Sequence, residues 1–171
     1  MQPSTRVPSF DALKWIGERS PSLQRFLRRG LQPLLHFALM WNMFEGQLCD
    51  SSVSVQKLRE VAITLAQRRF AASPDAKAFL DFIRTRYFAD GRVTERFYSL
   101  NLRSEHQRNA VFSVLSGATS DPAEAIFAQL LVVYRYRNNT FHGLKEIAEV
   151  FGSQVLFDQA ARFLGAVLDA A

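Results

Sequence analysis

Cysteine is almost absent from the sequence, and no group of residues has a spacing that suits a metal ion. The single Cys49 excludes an internal disulfide bond and favours a reduced, cytoplasmic setting. The histidines lie too far apart in the chain to predict a structural zinc site; they are His36, His106 and His142. We therefore expect a fold held together by its apolar core, without a metal or other cofactor.

Long uninterrupted apolar runs are also missing. The best run, Leu31–Phe44, is broken by Gln32, Pro33, His36 and Asn42 and is too short to span a bilayer. No small-residue cleavage site follows it, so it does not fit an export signal. The sequence also lacks a glycine-rich phosphate loop and a Gly-x-Ser-x-Gly elbow. These absences predict a cytoplasmic protein without a membrane partner, and they disfavour P-loop nucleotide hydrolysis and serine-hydrolase chemistry.

Lysine is scarce among the basic residues. Only four of the 21 are lysines, so 17 are arginines, and the net charge is +5. Residues 1–30 carry six basic side chains against two acidic ones. Because guanidinium groups suit the recognition of phosphate and carboxylate, this composition permits a nucleic-acid partner without requiring one.

Apolar residues make up 48% of the chain and recur mostly at helical spacing. No segment alternates with a period of two for long enough to require a sheet. We predict an all-α protein: a basic leader with short helices over residues 1–30, and a bundle of up-and-down helices over residues 31–171. At this length, one domain can bury a substantial core.

Two of the predicted helices bear on function. The first runs from Leu31 to Cys49, and its predicted buried stripe includes Leu35, Trp41 and Phe44. Glu45 falls on the same stripe, where a carboxylate needs a partner. The second begins with Asp121-Pro122, a strong helix start, and is predicted to end near Arg137.

The richest polar segment follows this second helix. Arg137, Asn138, Asn139 and His142 lie within six residues, and Gly143 comes next. In the simplest interpretation, Arg137 pairs with Glu45, the asparagines form a C-terminal turn, and the histidine is structural. On one straight helix, positions 137 and 142 would lie about 140° apart. The two side chains are therefore predicted to meet only if the asparagines break the helix.

If they meet, the chemistry is that of RNA cleavage. A histidine can take the proton from a ribose 2′-hydroxyl or protonate the leaving 5′-oxygen. A guanidinium can hold the scissile phosphate, and an asparagine amide can orient the phosphate or the histidine. This set of groups needs no metal ion.

The segment Arg137-Asn-Asn-Thr-Phe-His142 resembles the Arg, polar residue, three others, His motif of the HEPN (higher eukaryotes and prokaryotes nucleotide-binding) superfamily. The surrounding Tyr134-Arg-Tyr-Arg to Gly143 looks like the version found in bacterial Apea-like HEPN proteins. Trp41–Glu45 is similar to the aromatic-rich segment of their second helix. The resemblance covers about residues 30–170, and its specificity comes from the ten residues around the motif.

This resemblance implies an all-α homodimer whose two motifs face one cleft and form a composite, metal-independent endoribonuclease site. Arg137 and His142 match the catalytic pair, and Asn138 matches the polar position. Asn139 and Glu45 are added as supporting residues, Glu45 from its stripe position alone. Many such proteins are toxins or phage-defence effectors, often paired with a nucleotidyltransferase-type antitoxin. Some HEPN domains have lost the nuclease, so a non-catalytic module that dimerises or binds a partner or nucleotide is the alternative.

Overall fold

A computed structural model of the chain describes residues 10–20, 31–141, 149 and 152–171. These residues form eight α-helices, one turn of 3₁₀ helix at Phe70–Ala72 and a two-stranded hairpin. The all-α prediction is therefore confirmed, whereas the predicted boundary at residue 30 lies outside the described residues, as does most of the predicted basic leader. The elements are α1 (Ala12–Arg19), α2 (Gln32–Leu48), α3 (Val55–Gln67), α4 (Pro74–Tyr87), β1 (Phe88–Ala89), β2 (Arg92–Val93), α5 (Glu95–Tyr98), α6 (Glu105–Leu115), α7 (Pro122–Phe141) and α8 (Gln154–Ala170).

Serine and aspartate side chains begin most of these helices. Ser54, Ser73 and Ser104 each accept a hydrogen bond from the backbone N–H three residues later, at 3.1–3.2 Å. The Asp121 carboxylate accepts from the N–H of Ala123 at 2.8 Å, and Pro122 follows it at the first helical position. A capping side chain of this kind is worth about 1 kcal/mol, because it satisfies a backbone N–H that has no partner inside the helix.

Helix α7 is the centre of the bundle. It packs against α3, α6 and α4, while α8 packs against α2 and α4. Every residue from Ile126 to Val133 is buried, so α7 is surrounded on all sides for two turns. Burial of each large apolar side chain contributes about 1.5–3 kcal/mol, which makes this segment a major source of stability.

Helix α2 has the predicted bounds to within one residue, but part of its predicted stripe was wrong. Phe37, Trp41 and Phe44 face the core, whereas Leu35 is 55% exposed. The face of α2 that points to the core is set by Phe37, whose ring stacks on Phe157 of α8 with centroids 5.4 Å apart. Although α2 is strongly apolar, no helix among the described residues is long and apolar enough to cross a membrane.

A short hairpin between α4 and α5 was not predicted. Phe88 pairs with Val93 and Ala89 with Arg92, and Asp90-Gly91 forms the turn. Both turn residues have positive φ, 51° and 76°, the combination that two-residue hairpins require. Asp-Gly is the sequence signal for such a turn, but the flanking strands are too short to show alternation.

Candidate functional site

The end of α7 carries the polar residues that the sequence singled out. Arg135, Asn138 and Asn139 are buried, and Arg137 is partly buried. The helix does not end near Arg137 as predicted but continues through both asparagines to Phe141. The predicted break at the asparagines is therefore wrong for the residues up to 141, because the Asn139 side chain binds a distant turn and Asn138 accepts from Arg137 within a continuous helix.

Two faces of this helical end have different surroundings. Arg137 lies within about 60° of Tyr134 and Phe141 around the axis, but about 160° from Arg135. Tyr134 stacks on Trp41 of α2, with ring centroids 5.9 Å apart, and Phe141 stacks on Phe37 at 6.5 Å. Arg137 is therefore on the side of α7 that faces α2.

Arg137 and the polar position of the motif are in direct contact. Nη1 of Arg137 donates a hydrogen bond to Oδ1 of Asn138 at 3.2 Å. Asn138 is 6% exposed, so its amide is held by the surrounding protein. This contact orients the partly buried guanidinium against the adjacent amide.

The opposite face holds the turn between α5 and α6. Nε of Arg135 donates to the carbonyl of Leu100 at 3.1 Å. Nδ2 of Asn139 donates to the carbonyls of Ser99 and Leu100 at 3.0 and 3.2 Å. Asn139, predicted as a supporting residue of the site, thus lies on the side of α7 away from Arg137 and fixes a neighbouring turn.

Arg135 is the residue that the sequence reasoning missed. It is 2% exposed, and its Nη2 has no hydrogen-bond partner within the described part of the chain. Burial lowers the pKa of the Arg135 guanidinium, and the nearby charge of Arg103 lowers it further. The sequence of α7 could have predicted this burial, because a helix that is apolar on every side has no exposed face for an arginine.

Glu45 finds its partner on its own helix. Its carboxylate accepts a hydrogen bond from Nε1 of Trp41 at 3.0 Å. Since Trp41 stacks on Tyr134, Glu45 is linked to the Arg137 face of α7 through one aromatic pair. This indole bond meets the need for a partner that the sequence indicated.

His142 and Gly143 lie outside the described residues, so the predicted meeting of Arg137 and His142 stays a prediction. His36 and His106 are exposed. Cys49 is 1% exposed, and burial raises its thiol pKa to about 11, which disfavours a role as a nucleophile.

The described residues contain no group of three or more His, Cys, Asp or Glu side chains arranged to hold a metal ion. Comparison of the chain with models of protein families, with curated proteins and with solved structures finds no match. The motif and the geometry at the end of α7 are therefore the features of this chain that bear on its function.

Proposed function

We propose that this protein is a metal-independent endoribonuclease. In this proposal, Arg137 and His142 are the catalytic pair, and two copies of the chain bring their motifs together in one composite site. Asn138 positions the guanidinium and Glu45 supports the site through Trp41, whereas Asn139 acts on the α5–α6 turn instead of the site.

The observation that carries the proposal is the hydrogen bond from Arg137 to Asn138 at the end of the buried helix α7. It joins the arginine to the adjacent polar position of the motif that the sequence resembles. The backbone beneath the pair is anchored by Tyr134 and Phe141, which stack on α2. A guanidinium held in this way loses little conformational entropy when it binds a phosphate, which favours transition-state stabilisation.

The proposed reaction is an internal transfer on RNA. His142 removes the proton of a ribose 2′-hydroxyl, whose oxygen attacks the adjacent phosphorus, and the bond to the 5′-oxygen of the next nucleotide breaks. The leaving 5′-oxygen takes a proton from protonated His142, so the products are a 2′,3′-cyclic phosphate and a free 5′-hydroxyl. Arg137 binds the non-bridging oxygens, where negative charge accumulates. DNA is excluded as a substrate because it has no 2′-hydroxyl.

The biological role follows from the resemblance alone. An RNA-cleaving homodimer of this type would act as a toxin or a phage-defence effector in the cytoplasm. Its silencing partner would be a protein antitoxin of the nucleotidyltransferase type.

Cleavage of RNA in the presence of EDTA tests the assignment. We expect Arg137→Ala and His142→Ala each to lower the cleavage rate by about a hundredfold or more, the range typical of a lost acid–base or oxyanion group. His106→Ala, which removes an exposed histidine of α6, is the matched control and should cleave at the parental rate. Parental activity in His142→Ala, or no cleavage by a well-folded parent, would refute the assignment.

A second function is favoured by the tertiary role of the α7 polar residues. The helix is continuous through Asn138 and Asn139, and Asn139 together with Arg135 holds a neighbouring turn. These contacts suit a non-catalytic module that dimerises or binds a protein or nucleotide. That function predicts a markedly lower melting temperature for Arg137→Ala, with stability and function unchanged in His142→Ala. An Arg137→Ala variant that keeps its melting temperature but loses cleavage would eliminate it.

A further inference from the structure

The turn between α5 and α6 concentrates positive charge. Arg103 is exposed on the turn, Arg108 lies on the first turns of α6, and Arg135 is buried behind it. Glu95 and Glu105, on the flanking helices, are exposed to solvent. Within the described residues, no carboxylate forms an ion pair with any of these three arginines. A cluster of guanidinium groups without an acidic partner favours the binding of an anion.

A cavity of about 150 Å³ opens beside this cluster. Phe97 and Leu102 are the buried members of its lining, and Asn101 and Arg108 contribute polar groups. Tyr98 is the exposed aromatic residue of the lining, at 65%, and its ring meets that of Phe97 edge to face with centroids 6.0 Å apart. An exposed aromatic face beside arginines is the arrangement with which proteins bind single-stranded nucleic acid.

The cavity is held rigidly. Leu100 and Leu102 are buried on either side of Asn101, which adopts a left-handed conformation with φ of 56°. The Leu100 carbonyl accepts from Arg135 and Asn139, and the Leu102 carbonyl accepts from Nη1 of Arg108 at 3.1 Å. A preformed cavity loses less conformational entropy on binding than a mobile turn would.

We propose that this cavity binds one unpaired base of a single-stranded RNA, with the base stacked on Tyr98 and the adjacent phosphate bound by Arg103 and Arg108. The choice of RNA as the ligand rests on the proposed function. An unpaired base is required because a base inside a duplex does not offer its face for stacking on a side chain. Arg135, whose hydrogen bond holds this turn, is on the side of α7 away from Arg137, so the cavity holds a nucleotide remote from the one that is cut.

Fluorescence anisotropy with a labelled 2′-O-methyl RNA of about twelve nucleotides, long enough for a single-strand site, tests the proposal in EDTA. The methyl groups block cleavage, so binding is measured separately from catalysis. We expect Tyr98→Ala to raise the Kd by about tenfold, since base stacking is lost, whereas Tyr98→Phe keeps the ring and the affinity. Arg103→Ala should also weaken binding and reduce the slope of log Kd against log salt by about 0.7.

Two controls match these changes on distant surfaces. Arg162→Ala removes the same charge from an exposed site on α8, and Ile63→Ala removes an apolar side chain of α3 that is 45% exposed. Both should bind like the parent. If Tyr98→Ala loses its helical circular dichroism, Tyr98→Gln replaces it as the test.

Four outcomes would overturn the proposal: a parent that does not bind, a Tyr98→Ala variant with parental affinity, equal losses in Arg103→Ala and Arg162→Ala, or polyglutamate competing as well as RNA. The last would assign the cavity to an acidic peptide. Tyr98-dependent binding without cleavage of ordinary RNA would contradict the nuclease alone. Cleavage by a protein whose binding does not depend on Tyr98 would contradict the RNA cavity alone.

Discussion

Several arginines bind backbone carbonyls at the ends of helices. Arg84 donates to the carbonyls of Val114 and Leu115 at the end of α6, at 3.2 and 3.1 Å. Arg68 donates to those of Ala170, at 2.9 Å, and Ala171. The last carbonyls of a helix lack hydrogen-bond partners within the helix and carry partial negative charge. A guanidinium group supplies both the hydrogen-bond donors and a compensating positive charge. Some of the arginines are therefore structural, and fewer of them are available to bind an anion than the net charge suggests.

The buried pair of Tyr87 and Tyr136 makes stability sensitive to alkaline pH. The hydroxyl of Tyr87 donates to that of Tyr136 at 2.8 Å. Burial raises the pKa of Tyr136 well above 10, and it also raises that of Tyr87. Since the folded state holds these protons more firmly than the unfolded state, their contribution is complete below pH 10 and is lost as the pH rises further.

We expect Tyr136→Phe to reduce this alkaline sensitivity. The slope of unfolding free energy against pH above 10 should become less steep by up to about 1.4 kcal/mol per pH unit, because one ionising group is gone. At neutral pH, the lost hydrogen bond should cost roughly 1 kcal/mol. Urea unfolding between pH 7 and 11 measures both effects, with Tyr87→Phe as the companion variant. A slope identical to that of the parent in both variants would contradict the argument.

At the scale of the elements, two glycines have opposite roles. Gly117 follows the end of α6 with φ of 77°, a left-handed backbone conformation that costs free energy for any residue with a Cβ. Gly46 lies within α2 on an exposed position, and a Cβ added there would meet no atom within 4 Å. Gly117→Ala should therefore lower the unfolding free energy by about 1–2 kcal/mol. Gly46→Ala should raise it by about 0.5–1 kcal/mol. Chemical denaturation measures both, and a destabilised Gly46→Ala would show that this face of α2 is not open.

The sequence predicted elements with strong local signals and failed where tertiary contacts decide. Asp121-Pro122 begins a helix as expected, because capping is determined by neighbouring residues. The end of α7 was predicted too early, because asparagine commonly ends a helix. In this fold, Asn139 instead donates to carbonyls 39 and 40 residues earlier in the chain. No local pattern reports such a distant partner.

The candidate site was predictable to a similar degree. The motif located Arg137 and Asn138, whose contact is between adjacent residues. The buried face of α2 is set by contact with Phe157, more than a hundred residues later in the chain. The prediction that Leu35 faces the core was therefore wrong. The apolar surroundings of Arg135 in α7 could have shown that it is buried, but not that its carbonyl partner lies 35 residues away.

At the scale of the whole molecule, α7 connects the core to two different surfaces. Its residues 126–133 are buried in the bundle, where α7 packs against α3, α4 and α6, and its last turns present Arg137 toward α2 and Arg135 toward the α5–α6 turn. Rigid burial at one end of the helix fixes the position of both polar faces at the other. A single copy of the chain thus fixes the position of Arg137. In the proposed composite site, a second copy of the chain supplies the other motif.

Mixing two inactive variants tests whether the site is shared between subunits. If Arg137 of one subunit acts with His142 of the other, a dimer of Arg137→Ala with His142→Ala contains one intact site. The purified mixed dimer should then show roughly half of the parental cleavage rate, because one of its two sites is intact. The variants are co-expressed with different tags, the mixed dimer is purified through both tags, and its mass is measured by light scattering. Mixed dimers without activity would place both residues of a site in one subunit, and a monomeric parent that cleaves RNA would eliminate the composite site altogether.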